Sequence, residues 1–210
     1  MEDSLGNNLG RMEQRLNRGR KMIYNFGTTT SSHVPILLEF INKFKPVSII
    51  EFGGGIFSTS IFSKFCKHVT TVEHNAEWVL FLRKKFEGMQ QVKILQMDSQ
   101  TILHNFVNVL KKYDLSFIDT QNKVRASLIQ LSTRFTDNII CHDAQAPFLK
   151  KIRVIGFKRV NFKQTPYKYK NGSRPWTSLF TKNKEVLNYF SGLDEKELYK
   201  KFVFPYGIKK

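Results

Sequence analysis

The sequence has few of the features that mark secreted or membrane proteins. It contains two cysteines, Cys66 and Cys141, which lie far apart in apolar stretches and form no C-x-x-C zinc pattern. We expect both to be buried thiols in a reducing compartment. The polar N-terminus has no apolar signal core, and no apolar run approaches the ~20 residues that span a membrane. The sequence therefore predicts a soluble, cytoplasmic protein without a membrane span.

Acidic residues are also scarce, because 17 Asp and Glu face 34 Lys and Arg for a formal net charge of +17. Such a charge favours a polyanionic partner, and nucleic acid is the first candidate. The alternative is a Lys-rich composition with no polyanionic partner, since net charge indicates partners only weakly. Both interpretations stay open on charge alone. The 210 residues, 41% of them hydrophobic, fit one domain with a substantial core.

Strands and helices alternate through most of the chain. A helical apolar stripe that ends at Pro46 precedes the first strand. Short apolar runs rich in β-branched residues predict five strands, at 47–52, 69–72, 92–95, 115–118 and 138–141. Helical patterns follow the first four of them, at 58–65, 76–86, 102–110 and 124–134. This alternation predicts a parallel sheet built from right-handed βαβ units.

The pattern changes in the last third of the chain. Strands are predicted at 157–162 and 177–181 with no helix between them, so we expect an antiparallel hairpin at the end of the sheet. A short helix near 185–190 and a basic tail follow. The predicted fold is a Rossmann-like, doubly wound α/β sheet of seven strands, the last antiparallel. Residues 31–210 form this domain, and residues 1–30 are predicted to be a basic helical appendage whose end, Thr28 to Ser32, caps the next helix.

A glycine turn connects the first strand to the helix that follows it. Its residues are Gly53, Gly54 and Gly55. Glycine suits a turn with positive φ and lets the backbone approach a ligand without an intervening Cβ. The helix start favours an anion, and Ser58 or Thr59 can cap it.

An acid, Glu73, ends the second strand about twenty residues after the glycines. An acid there can accept both hydroxyls of a ribose, in NAD or in S-adenosylmethionine, so turn and acid together predict a nucleoside cofactor. Three details favour the methyl donor. Glu51 inside the glycine motif suits a cationic amino group, an acid at the end of strand three can meet an adenine amino group, and the terminal hairpin is unusual for a dinucleotide fold. The third-strand residues are Asp98 and Ser99.

These segments resemble the motifs of class I S-adenosylmethionine-dependent methyltransferases. Residues 51–55, Glu-Phe-Gly-Gly-Gly, look like motif I, and residues 117–119, Phe-Ile-Asp, look like motif IV. Residues 72–78, with the Ser-Thr pair at 58–59 and His-Asp-Ala at 142–144, are similar to a subset that contains small-molecule and carbohydrate O-methyltransferases. The resemblance covers residues 28–182, and Phe57 stands where many members have a third glycine. The Lys- and Phe-rich style resembles carbohydrate-modifying enzymes of large DNA viruses, which would place the protein in the host-cell cytoplasm.

The resemblance implies S-adenosylmethionine as cofactor. The residues that it implies for cofactor binding are Glu51, Gly53, Gly54, Gly55, Ser58, Thr59, Glu73, His74, Asp98, Ser99 and Asp119.

Three titratable residues end the neighbouring fourth and fifth strands and should meet beside the methyl donor: Asp119, His142 and Asp143. A sugar hydroxyl is weakly acidic, so its methylation requires a base or a metal. Either His142 or Asp119 is the general base, or Asp119 and Asp143 bind Mg²⁺ or another divalent ion that lowers the hydroxyl pKa. Similar metal-dependent enzymes have Asn or Asp after the second aspartate. Ala144 stands there, so that third ligand is missing.

The loop at 167–176 interleaves aromatic and basic residues and is predicted to lie over the same edge. Candidate acceptor-binding residues are Arg125, Tyr167, Arg174 and Trp176. The predicted function is an O-methyltransferase that acts on a sugar hydroxyl of a glycan or glycosylated molecule. One alternative is a nucleic-acid methyltransferase for RNA ribose or cap. The Asn/Asp-Pro-Pro-Tyr/Phe motif for amino methylation of bases is lacking, and the Lys-Asp-Lys-Glu tetrad of cap ribose enzymes cannot be assigned. The other alternative is a non-catalytic or NAD-binding Rossmann module.

Overall fold

The computed structural model describes residues 31–98, 101, 102, 104, 112–163, 165, 168–170 and 172–203. The predicted appendage at 1–30 lies outside the described residues, as do Ser99, Tyr167 and most of the helix predicted at 102–110. Residues 101, 102 and 104 have helical backbone. Across the described ranges, no helix combines the length and apolar character that a membrane crossing requires.

Seven strands form one mixed sheet. They are β1 Ser48–Phe52, β2 His68–Glu73, β3 Val92–Gln96, β4 Leu115–Ile118, β5 Asn138–Cys141, β6 Lys158–Phe162 and β7 Thr177–Thr181. Their order is β3-β2-β1-β4-β5-β7-β6. The first five strands are parallel to one another, whereas β7 is antiparallel to both β5 and β6. The predicted seven-stranded sheet with an antiparallel last strand is confirmed.

The helices of the described chain are α1 Val34–Phe44, α2 Ile56–Phe65, α3 Ala76–Lys85, α4 Asn122–Ser132, α5 Pro147–Lys150, α6 Lys184–Ser191 and α7 Glu195–Val203. Two details differ from the sequence prediction. The N-cap of α1 is His33, which makes no side-chain cap bond, so the serines before it do not cap this helix. The segment predicted as a basic tail contains α7, whose Leu198 and Tyr199 are buried in the core beside α1.

The core lies on both faces of the sheet, because neighbouring strand residues point to opposite sides. On β1, Ile49 packs into a cluster with α1, α6 and α7, and Ile50 packs into a second cluster with α4. On β4, Phe117 packs into the first cluster and Ile118 into the second. The predicted burial of Cys66 and Cys141 is confirmed, and both thiols are free.

The parallel strands end at one level along the sheet edge. Phe52 at the end of β1 pairs with Val72 and with Ile118, and Ile118 pairs in turn with Cys141. The strand order reverses between β1 and β4, which is where ligands bind in open α/β sheets. The residues that follow these four strand ends therefore meet at this point.

Candidate functional site

The glycine turn packs directly against the loop that follows β4. Gly53 has φ +91°, and a Cβ at this position would overlap the carbonyl oxygen of Asp119. Its N–H donates to the Val72 carbonyl oxygen at 2.8 Å. At Gly54, a Cβ would lie 2.5 Å from Cδ1 of Leu82. The lack of side chains in the turn therefore brings the end of β1 close to Asp119 and to β2.

We expect Gly53→Ala to lower the free energy of unfolding by several kcal/mol. Positive φ alone costs a residue with a Cβ ~1–2 kcal/mol, and the new methyl group would collide with backbone that cannot rotate away. Gly88→Ala is the matched control, since Gly88 has φ +79° and a methyl group added there would meet no atom of the described residues within 4 Å. Urea denaturation measures both variants. Equal losses would contradict the close approach of the turn to Asp119.

The buried carboxylate of Glu51 stabilises the glycine turn through hydrogen bonds. Its Oε2 accepts hydrogen bonds from the hydroxyls of Thr59 at 2.5 Å and Thr71 at 2.8 Å, and its Oε1 accepts from the Ser58 hydroxyl. The N–H of Gly55 donates to Oγ1 of Thr59 at 3.2 Å. The side chains of Glu51, Ser58 and Thr59 are fully buried, so in this conformation they act on a ligand through the backbone that they hold.

The environment of Glu51 favours its protonated form. Burial raises its pKa from 4.5 to about 7, although the three hydroxyl donors oppose the shift, and the Asp119 carboxylate raises it further. Because the folded-state pKa lies above the unfolded one, the stability that this group contributes is fully present below pH 4.5 and is lost as the pH rises to about 7.

Glu51→Gln is expected to remove this pH dependence, because an amide does not titrate. The free energy of unfolding of the wild type minus that of the variant should fall between pH 4.5 and about 7 and stay level above. Urea denaturation across this range measures the difference. Glu87→Gln, at an exposed position after α3, is the control and should show no such slope. If the difference in unfolding free energy between the wild type and Glu51→Gln did not change with pH, the raised pKa of Glu51 would be contradicted.

Glu73 joins the end of β2 to the glycine turn. Its Oε1 accepts from the N–H groups of His74 and Asn75, each at 2.8 Å, and its Oε2 accepts from the N–H of Gly54 at 3.1 Å. The ring Nδ1 of His74 lies 2.9 Å from Oε1 of Glu73. The indole N–H of Trp78 donates to the Gly54 carbonyl oxygen at 2.6 Å. These contacts fix the carboxylate at the mouth of the turn.

Two further predicted cofactor residues lie at the same edge. His74 is partly exposed, and its Nε2 lies 2.9 Å from the side-chain nitrogen of Gln121 in the loop after β4. Asp98 is exposed at the end of β3, and its Oδ1 accepts from the N–H of Thr101 at 2.8 Å. Asp98 thereby caps the helical segment that starts there, with its carboxylate at the solvent-facing edge of the sheet.

Asp119 is the exposed member of a cluster of ionisable groups. Its Oδ1 lies 3.2 Å from Nδ1 of His142 and 3.3 Å from Nη2 of Arg125, and its Oδ2 lies 4.0 Å from Nδ1 of His33. The side chain of Asp119 is 26% exposed, whereas those of His33, His142 and Arg125 are buried. The two imidazole rings meet edge to face, with centroids 4.5 Å apart. Solvent and ligands therefore reach the cluster through Asp119.

The pKa values in the cluster move in different directions. Burial opposes ionisation of Asp119, but the adjacent His142, His33 and Arg125 hold its pKa well below the usual range. Burial also opposes the charge on His142, yet the Asp119 carboxylate raises the pKa of this imidazole. Burial and the positive charge of His142 lower the pKa of His33 to about 3. At neutral pH, Asp119 is thus ionised and His33 neutral.

Arg125 and Asp143 hold the loops after β4 and β5 together. Arg125 donates through Nε to the Thr120 carbonyl oxygen at 2.8 Å and through Nη1 to the Asp143 carbonyl oxygen at 3.3 Å, and Nη2 lies 3.7 Å from Oδ2 of Asp143. Asp143 has φ +54°, in the left-handed region that a non-glycine residue rarely adopts. Arg125 was predicted to contact the acceptor. That role stays a prediction, and in this structure the guanidinium is buried and bonded to the protein.

The described part of the aromatic loop reaches the site, as the sequence predicts. The hydroxyl of Tyr169 donates to Oδ1 of Asp143, and the N–H of Trp176 donates to Oε1 of Gln145 at 3.0 Å. Ammonium groups of Lys150 and Lys163 lie 4.9 and 4.6 Å from the Trp176 ring centroid. Arg174 donates to the Thr165 carbonyl oxygen. Tyr169 thus contacts Asp143, the Trp176 backbone contacts Gln145, and Arg174 bonds within the loop.

Metal binding by Asp119 and Asp143 stays a prediction, and the two carboxylates lie 3.3 and 3.7 Å from the same Arg125 nitrogen, Nη2. Among the described residues, the group with ligand atoms within 4.8 Å of one another consists of His33, Asp119 and His142. Asp143 is instead engaged by Arg125 and Tyr169. His33 was missed because it precedes a helix and follows no strand, so no local signal marks it.

Comparisons with known proteins support the fold. No protein-family model matches the chain. No curated protein matches it in sequence. Solved structures do match. TomG, an O-methyltransferase of Streptomyces achromogenes involved in tomaymycin synthesis and solved with S-adenosylmethionine, has TM-score 0.59 and 10% identity, over 71% of this chain and 79% of that one.

Two further neighbours extend the comparison. The Bacillus cereus O-methyltransferase solved with S-adenosylhomocysteine has TM-score 0.58 and 14% identity over 70% of this chain and 79% of its own. The N-methyltransferase NodS of Bradyrhizobium japonicum WM9 has TM-score 0.58 and 12% identity over 75% of this chain and 98% of its own. The chain therefore has the Rossmann-like fold of S-adenosylmethionine-dependent methyltransferases.

Proposed function

We propose that this protein is an S-adenosylmethionine-dependent methyltransferase that methylates a hydroxyl oxygen. One observation carries the proposal: the glycine turn, Glu73 and the exposed carboxylate of Asp119 meet at the switch point of the sheet. A nucleoside site and an acidic acceptor site are thereby adjacent. Neighbours with this fold include O-methyltransferases, which supports the reaction class.

The residues at this edge fit the cofactor in their donor and acceptor chemistry. The Glu73 carboxylate is placed to accept ribose hydroxyls, and the exposed Asp98 carboxylate to accept from an adenine amino group. The start of α2, whose N-cap Gly55 makes no side-chain cap bond, offers backbone N–H groups and the positive end of the helix dipole to a carboxylate. When bound, S-adenosylmethionine would supply a methyl group from its positively charged sulfur, and the rest of the molecule would leave as a neutral thioether.

Asp119 is the residue that we assign to the acceptor hydroxyl. Its carboxylate is ionised and partly exposed, so it can accept the hydroxyl hydrogen bond and orient the oxygen for in-line attack. As the new carbon–oxygen bond forms, the attacking oxygen becomes positive and its proton strongly acidic. A weakly basic carboxylate at hydrogen-bond distance then suffices to stabilise the charge and take the proton. Buried His142 and Arg125 position Asp119 from behind.

A sugar hydroxyl is the acceptor that we favour. The hydroxyl of Tyr169 donates to Asp143, and an aromatic ring at this position suits a sugar ring. The motif set at 58–59, 72–78 and 142–144 resembles that of carbohydrate and small-molecule O-methyltransferases. The net charge of +17 favours the second candidate, a methyltransferase for RNA ribose or cap.

An acceptor screen with labelled methyl donor separates these candidates. We expect label in a hydroxyl-bearing oligosaccharide and little label in RNA. Labelling of RNA, with binding that weakens steeply as salt rises, would establish the nucleic-acid alternative instead. Label on an amine after product hydrolysis, or label that mild base releases as methanol from a carboxyl ester, would contradict transfer to a hydroxyl oxygen.

A further inference from the structure

His33 is a buried polar side chain whose ring nitrogens make no hydrogen bond to the residues that the structure describes. Only 2% of its surface is exposed, and within the described part of the chain neither ring nitrogen has a hydrogen-bond partner. Burying an unpaired polar group is unfavourable, and native proteins pair nearly all such groups. Two unpaired nitrogens on one buried ring therefore point to a ligand that the ring binds.

The unpaired nitrogens of two imidazoles face the same carboxylate. Nδ1 of His33 lies 4.0 Å from Oδ2 of Asp119, and Nδ1 of His142 lies 3.2 Å from Oδ1. Nδ1 of His142 also lacks a hydrogen-bond partner among the described residues. Ligands ~2.1 Å from one metal ion are ~3.0–3.4 Å apart in octahedral or tetrahedral geometry, and the ligand atoms of these three residues already lie within 4.8 Å of one another.

A further contact orients His142 for such a role. Its Nε2 lies 2.8 Å from Oγ of Ser32, which fixes the ring with Nδ1 toward Asp119. Ser32 is held in turn, because its carbonyl oxygen accepts from the hydroxyl of Tyr199 on α7 at 3.1 Å. Hydrogen bonds of this kind on the second ring nitrogen are typical of metal-binding histidines.

We propose that His33, Asp119 and His142 bind one divalent transition-metal cation. Two imidazoles with one carboxylate favour Zn²⁺, Fe²⁺ or Co²⁺ over Mg²⁺, which prefers oxygen ligands. The guanidinium of Arg125 lies between the carboxylates of Asp119 and Asp143 and neutralises one of their two negative charges. The other negative charge remains to attract a cation. The exposed side of Asp119 leaves coordination positions open to water or to a hydroxyl. This metal binding does not depend on the proposed methyl transfer.

Titration of the chelator-treated full-length protein with Co²⁺ tests the proposal, because ligand-field absorption in the visible range reports the bound ion directly. We expect one Co²⁺ per chain, displaced by Zn²⁺ and not by excess Mg²⁺. His33→Gln should weaken Co²⁺ binding at least ~100-fold, since removing a ligand exceeds the 10–100-fold effect of removing its orienting contact. His68→Gln, at the exposed start of β2, is the matched control and should bind as the wild type does.

Paramagnetic broadening of the wild-type NMR spectrum tests the site even if the His33→Gln variant does not fold. Co²⁺ should broaden the ring resonances of His33 and His142 at the first equivalent and leave that of His68 sharp. Absence of Co²⁺ binding, binding that His33→Gln leaves unchanged, or broadening centred on other histidines would overturn the metal site. Binding of S-adenosylhomocysteine is measured separately, so failure of one proposal is distinguishable from failure of the other.

Discussion

Asp119→Asn is expected to lower the turnover number about 10³-fold while affinity for S-adenosylhomocysteine stays within about twofold. The amide keeps the volume and one acceptor oxygen, but it carries no charge to stabilise the attacking oxygen and cannot take its proton. The contact of the glycine turn is with the backbone of Asp119 and not with its side chain, so the cofactor site should persist. Single-turnover assays with the labelled donor measure the first quantity, and calorimetry measures the second.

Asp137→Asn is the control for this experiment. Asp137 lies at the opposite end of the sheet, with a 69% exposed side chain beside Lys182, so the same chemical change there should leave turnover unchanged. If Asp119→Asn kept wild-type turnover, the acceptor would not bind where we place it. If it abolished cofactor binding as well, Asp119 would have a structural role in the turn.

Glu73→Gln should raise the dissociation constant of S-adenosylhomocysteine roughly 100-fold, or about 2.7 kcal/mol. A carboxylate accepts two ribose hydroxyls, and each hydrogen bond to a charged group is worth about 1.5–3 kcal/mol before compensation. The amide also places N–H donors where Glu73 accepts from backbone N–H groups of Gly54, His74 and Asn75. The loss should therefore appear in the ligand affinity and, to a smaller extent, in the melting temperature.

Glu87→Gln removes one carboxylate from an exposed position after α3 and controls for net charge. Wild-type affinity in this variant, beside weakened binding in Glu73→Gln, is the expected pair of results. Unchanged affinity in Glu73→Gln would place the ribose elsewhere and remove the basis for a nucleoside site at this edge.

The parts of the site that follow strand ends could be predicted from the sequence. Gly53, Glu73, Asp119 and His142 each lie at or directly after the end of a short apolar run, and parallel strands place such residues at one edge. These signals are local, and the topology that joins them follows from the alternation of strands and helices. The strand bounds at 115–118, 138–141 and 177–181 agree with the structure residue for residue.

The parts that depend on contacts between distant segments could not be predicted. His33 comes 86 positions before Asp119 and reaches it only because α1 packs beside β4. Helix α7 carries Leu198, Tyr199 and Phe202 at helical spacing, but its contact with α1 could not be predicted. Its Lys201 ammonium bonds the buried Glu39 carboxylate on α1 at 2.8 Å. The Tyr189 hydroxyl of α6 donates to the same carboxylate. Such pairings arise from tertiary packing and leave no periodic pattern.

Side-chain roles were harder to predict than side-chain positions. Glu51, Ser58 and Thr59 occupy the expected turn, yet they satisfy one another and are buried. Arg125 lies beside Asp119, but its guanidinium donates hydrogen bonds to oxygen atoms of the protein. Whether a polar group faces a ligand or a neighbour is decided by three-dimensional hydrogen-bond partners, which the sequence does not specify.

Calorimetric titration of the purified protein with S-adenosylhomocysteine and, in parallel, with NAD tests the central claim most directly. We expect saturable binding of S-adenosylhomocysteine at one site per chain and no measurable binding of NAD. A methyl-donor site formed by the glycine turn and Glu73 would be contradicted if the protein bound NAD but not S-adenosylhomocysteine. It would also be contradicted if the protein bound neither compound.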